Sequence, residues 1–88
     1  MATATIKEEY RKQYGKASFF GRVANIDETT WEVEFWLMED GQKPPEKMML
    51  PLAHLESCVE VGTGATLELA RKNRVDYFEL AKQQGWRG

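Results

Sequence analysis

His54 is the only histidine in the chain. Cys58, the only cysteine, follows four residues later with Glu56 between them. A histidine titrates near neutral pH and can serve as a general base or a metal ligand. Neither role is completed here. A base in a triad needs a nucleophile and an orienting group, and the spacing proposes neither. A zinc site needs three or four ligands, and one His with one Cys falls short. The expected roles are a turn histidine and a small buried thiol. Carboxylates pair at Glu32/Glu34, Glu39/Asp40 and Glu56/Glu60. Glycosidases work between two carboxylates, but nothing marks these as buried or shifted in pKa. Gly62-Thr63-Gly64 lacks the pattern and the following helix of a phosphate loop. The sequence therefore predicts no enzyme, no cofactor and no metal. A small hydrolase is the weakest reading and would need His54 or a carboxylate pair inside a real pocket.

Charge and aromatic residues say more. Between Ile26 and Gly41 stand Asp27, Glu28, Glu32, Glu34, Glu39 and Asp40, with no Lys or Arg. Such a run makes either a solvated sheet face guarded against edge pairing or a surface that steers a basic protein partner. The opposite pole is Arg71, Lys72 and Arg74 at a predicted hairpin tip, with Lys82 and Arg87 further on. Basic loops beside Phe20, Trp36, Tyr77 and Phe78 would suit single-stranded nucleic acid, although core filling explains those aromatics more simply. Tryptophan is enriched at protein interfaces. Trp86 lies where chain ends usually fray, so it either docks back on the domain or meets another chain.

Composition bounds these readings. A chain of 88 residues is expected to form one domain over 1–88. It is 42% hydrophobic and 30% charged, which is globular rather than disordered. The net charge of −2 and the pI near 5.4 lean against phosphate binding. One cysteine cannot close an intrachain disulfide, and small secreted domains usually need such bridges. The first residues carry charge early and form no apolar signal segment. No apolar run approaches the roughly 20 residues of a membrane helix. A cytoplasmic protein is expected.

The elements that position these residues read as follows. Thr5 and Glu8 have capping-box spacing, and Ile6, Tyr10 and Tyr14 recur every fourth residue. Gly15 supplies a helix stop, so a short helix is expected over 5–14. From Ala17 the period becomes two. Phe19, Gly21 and Val23 share one face, and Phe20, Arg22 and Ala24 the other. Gly21 suggests a bulge or sharp bend. Trp31, Val33, Phe35 and Leu37 alternate with Glu32, Glu34, Trp36 and Met38. Residues 46–50 return as a strand ended by Pro51. Leu52-Ala53-His54-Leu55 forms one helical turn. Residues 65–70 and 75–81 are two further strands about a hairpin at Lys72-Asn73. The expected barrel spans 17–82, and 83–88 is a tail without periodicity.

Four features in succession carry a resemblance. They are Gly21-Arg22-Val23, the aromatic strand from Trp31 to Leu37, Leu50-Pro51-Leu52-Ala53-His54-Leu55, and Gly64 before a strand. From Phe19 onward the chain resembles short uncharacterised bacterial proteins with small barrels of the OB or SH3 type. The resemblance implies a fold and no function. The expectation is thus a mainly β protein: a small antiparallel five-stranded OB- or SH3-like barrel with a short N-terminal helix. Its expected role is a non-enzymatic protein-binding or accessory module, with Glu32, Glu34, Trp36 and Trp86 as contact residues and another protein or a second copy as partner. Single-stranded nucleic-acid binding through Arg71, Lys72 and Arg74 is the alternative.

Overall fold

Alternation sets the strands, and it begins earlier than the helical spacing of Ile6, Tyr10 and Tyr14 suggests. The computed structural model describes residues 1–38, 45–62 and 74–88. In β1 (Ala2–Ile6), Ala2, Ala4 and Ile6 are fully buried while Thr3 and Thr5 point outward. This strand pairs antiparallel on both sides, with β2 (Ser18–Asp27) and β5 (Leu55–Glu60). Two ladders give its backbone donors and acceptors partners, and that outweighs the local capping-box signal. The helix expected over 5–14 is thereby corrected to a 3-10 turn, Glu8–Tyr10, and one α-turn, α1 (Arg11–Tyr14). Its end is as expected: Gly15 takes φ 72 and donates to the Arg11 carbonyl.

β2 and β3 (Glu32–Leu37) form a hairpin. The Asp27 carboxylate accepts from the Thr29 and Thr30 amides at 2.8 and 3.2 Å, which holds its pKa below the usual carboxylate range. β2 bulges at Ala24, where the register passes from Val23↔Phe35 to Asn25↔Glu34. The bend expected at Gly21 has a different basis. A Cβ there would stand 1.9 Å from the Trp36 carbonyl oxygen, so only glycine allows so close an approach. β4 (Glu46–Pro51) then pairs along the whole of β3. The helical turn expected after it is a 3-10 turn, Leu52–His54.

The sheet order is β4-β3-β2-β1-β5-β6, with β6 (Val75–Asp76) pairing against Val59 and Glu60. All neighbours are antiparallel, and the sheet curls into a half-barrel. The mainly β, antiparallel class is as expected, but the described residues hold six strands rather than five. β1 and β5 were not anticipated. The strand expected at 65–70 and the hairpin tip at 71–73 lie outside the described residues.

The strand expected over 75–81 is corrected. It keeps only Val75–Asp76 and continues as helix α2 (Tyr77–Gln83). Asp76 caps α2 by accepting from the Phe78 amide at 3.0 Å. Tyr77 and Ala81, four apart, are its buried residues. The tail is not featureless either. Gly85 takes φ 115 and donates to the Lys82 carbonyl, while Trp86 donates to that of Ala81 at 2.9 Å. This is a Schellman cap, and it sets the Trp86 ring edge-on to Phe78 at 5.3 Å. The concave side of the sheet holds the core of Ile6, Val33, Phe35, Leu50, Leu52, Leu55 and Cys58. No helix among the described residues is long and apolar enough to cross a membrane.

Candidate functional site

The pleat sends alternate residues of β3 to opposite faces. Val33 and Phe35 enter the core with no exposure. Glu32, Glu34 and Trp36 face outward. Met38 follows them, its amide bonded to the Phe20 carbonyl at 3.0 Å. Register then fixes the neighbours. Arg22, Trp36 and Lys47 lie side by side in one row across β2, β3 and β4. In the next row Glu34 lies between Asn25 and Met49.

Phe20, Met38, Trp36 and Met49 thus make a diagonal apolar stripe on the outer face. Their exposures are 52, 44, 37 and 39%. Single exposed apolar residues need no explanation, but four in one stripe mark a surface. Arg22 and Lys47 stand on opposite sides of that stripe. The Lys47 ammonium is 3.1 Å from the Glu34 carboxylate. Arg22 is exposed and forms no ion pair among the described residues.

The acidic strand therefore looks different in the fold. Glu32 and Glu34 are half-buried, Glu34 is answered by Lys47, and Asp27 is engaged in its own turn. Glu39 and Asp40 lie outside the described residues. The charged residues flanking Trp36 in its row are both cations. Trp86 does not share this face: it packs on the core side against α2. Of the basic hairpin, Arg74 is exposed just before β6, and Arg71 and Lys72 lie outside the described residues. Tyr77 and Phe78 pack on the core, so only Phe20 and Trp36 of the four aromatics face outward.

Sequence reading missed Phe20, Met38, Met49, Arg22 and Lys47 as one group. The alternation did place Phe20 with Arg22, and Trp36 with Met38. What it lacked was the cross-strand register, which no local pattern supplies.

The remaining chemical groups are committed elsewhere. His54 Nδ1 and the Tyr14 hydroxyl share a 2.8 Å hydrogen bond, and Tyr10 stacks on the imidazole at 4.0 Å. Burial raises the Tyr14 pKa, with further pushes from Glu32 and Tyr10. This cluster pins α1 to the 3-10 turn Leu52–His54. Cys58 is sealed in the core, where burial, then Asp76 and Glu60, push its thiol up to about 12. Glu60 accepts from the Tyr77 hydroxyl at 2.9 Å, while Glu56 points to Arg11 at 3.9 Å. The described residues hold no cluster of three metal-ligating side chains. A cleft of about 240 Å³ opens between the bulged part of β2 and α2, lined by Val23, Ile26, Leu80 and Gln84 among others. It is smaller than most ligand pockets. The outer face of β2–β4 is the stronger candidate. The chain matches no family model, no curated protein and no solved structure.

Proposed function

We propose that this chain is a non-enzymatic protein-binding or accessory module that docks its partner on the outer face of β2, β3 and β4. One observation carries the reading: Phe20, Met38, Trp36 and Met49 stand out from the sheet in a single stripe beside Arg22. Aromatic residues, Met and Arg are the types enriched at interface cores, and Trp and Arg lead among binding hot spots. Each apolar side chain is already about half buried, so completing its burial adds about 1 kcal/mol. That suits a transient contact rather than an obligate one. In finer detail we read the curled sheet as a small barrel of the OB or SH3 kind. We place the protein in the cytoplasm, in keeping with a single buried thiol that forms no disulfide.

Single-stranded nucleic acid is the second reading, and it now rests on different residues from those first expected. Phe20 and Trp36 are exposed on adjacent strands with Arg22 and Lys47 beside Trp36, a combination that stacks and neutralises bases and phosphates. The net charge of −2 weighs against it. Pull-downs from native extract with wild type and Trp36→Ala, at low and high salt, separate the two. A stoichiometric protein held by wild type and lost by Trp36→Ala supports the module. Nucleic acid held at low salt and released at high salt overturns it.

A further inference from the structure

The stripe has a length, a direction and a charge pattern, and together they describe its occupant. Strands stand about 4.8 Å apart and rise about 3.4 Å per residue. From Phe20 on β2 to Met49 on β4 the stripe therefore runs about 10 Å across the strands and about 13 Å along them, or about 17 Å diagonally. Three turns of α-helix cover that length. The Arg22 and Lys47 side chains lie to either side of it, at the level of Trp36. The Glu34 carboxylate neutralises Lys47, so the exposed charge beside Trp36 that no described residue pairs with is that of Arg22.

Resting on the docking role proposed above, we propose that the occupant is an acidic amphipathic helix of another protein. Its apolar side chains lie along the Phe20–Met38–Trp36–Met49 stripe, and a carboxylate beside them meets the Arg22 guanidinium. This inverts the partner charge that the acid-rich sequence of β3 implies. The acids of β3 are half-buried or paired, and the exposed charge beside Trp36 that is unpaired among the described residues is a cation. Arginine suits the contact because its planar fork binds a carboxylate through two hydrogen bonds. A second copy of this chain fits less well, because its matching stripe carries the same cation, Arg22, and so brings no charge complementarity.

The test uses the full chain and two synthetic helical peptides with the same leucine stripe, one flanked by Glu and the other by Lys. Binding is read from amide shifts of Phe20, Arg22, Trp36, Met38 and Met49. The Glu-flanked peptide is expected to bind at least tenfold more tightly, and Arg22→Glu to reverse that preference. Equal binding of both peptides, or preference for the Lys-flanked one, overturns the inference. If neither peptide binds while a protein partner is still captured and lost with Trp36→Ala, the docking role stands and the acidic helix falls. If an oligothymidylate or self-association, rather than the Glu-flanked peptide, perturbs those residues, the inference falls in favour of that occupant.

Discussion

Gly21 shows how much one missing methyl group can decide. Any side chain there would overlap the Trp36 carbonyl oxygen and crowd the Phe35 ring, whose Cε1 lies 2.9 Å from the Cβ position. Neither neighbour can retreat: one is backbone in the ladder and the other is fully buried. Gly21→Ala should lower the melting temperature by about 10 °C or more, since overpacking costs about 1–3 kcal/mol even where side chains can yield. Phe20→Ala, next to it but facing solvent, should cost no more than about 1 kcal/mol. Thermal melts followed by circular dichroism compare the two. Cys58 makes a second prediction, in pH. Folded, its thiol stays protonated to about 12, whereas its ordinary value is 9.0. Between these values the native state holds the extra proton, so stability falls as pH rises, by up to about 1.4 kcal/mol per unit. Burial and the bond to Glu60 raise Tyr77 as well, which adds a loss of the same sign above its ordinary 10.0. Urea midpoints at pH 8, 9 and 10 should fall less steeply for Cys58→Ala than for wild type. The buried thiol was legible in the sequence, because a free Cys is commonly a small buried hydrophobe. The Gly21 contact was not, because it depends on which strand lies opposite.

At the scale of elements, the legible parts were those whose signals are local and uncontested. β3 and the 3-10 turn Leu52–His54 emerged where expected because period-2 alternation and Pro51 point one way. β1 was lost because Thr5, Glu8 and the Ile6/Tyr10/Tyr14 spacing form a helix signal as good as the strand signal in Ala-Thr-Ala-Thr-Ile. Only pairing on both sides resolves it, and that information lies in β2 and β5. α2 was misread although its signals are present: Asp76 before the helix, Glu79 three residues on, Tyr77 and Ala81 four apart, and Gly85 after the end. The aromatic pair Tyr77-Phe78 looked like strand and outweighed them. Those caps now give a prediction. Asp76→Ala should cost about 1 kcal/mol. Gly85→Ala, forced to a φ that side chains rarely adopt, should cost about 1–2 kcal/mol. Both should also release Trp86 from Phe78, seen as a red shift of tryptophan emission in native buffer. If the emission and the urea midpoint stay at wild-type values in both variants, the cap is not what holds the tail.

For the whole molecule, the half-barrel of the described residues leaves two sheet edges to be protected. β6 is one edge and has only two residues. β4 is the other, six residues long and paired to β3 on one side. The Leu52 amide donates to the Trp31 carbonyl, so the amides of Leu50 and Met48 also turn toward β3. Those of Lys47 and Met49 then turn to the open side, where Pro51 has no amide to offer. Among the described residues this edge keeps two free donors, but the missing Pro51 amide and the Lys47 charge interrupt it, which discourages strand addition. Strand order itself was not legible, since β1 enters the sheet between β2 and β5 through contacts distant in sequence. Nor was the edge status of β4 more than a hint from Pro51. With both edges defended and an outwardly curved apolar stripe, the chain should sediment as a monomer at concentrations of about 100 μM. The double variant Lys47→Val, Pro51→Val restores a donor, removes the charge and leaves a β-prone edge beside Met49. It should associate in a concentration-dependent way, while Trp36→Ala, which alters the stripe and leaves the edge intact, should remain monomeric. Sedimentation velocity over a dilution series reads all three proteins. Association of the wild type that Trp36→Ala abolishes would move the contact from a foreign helix to a second copy. Association that Trp36→Ala leaves untouched would instead mean that the β4 edge pairs in spite of Pro51 and Lys47.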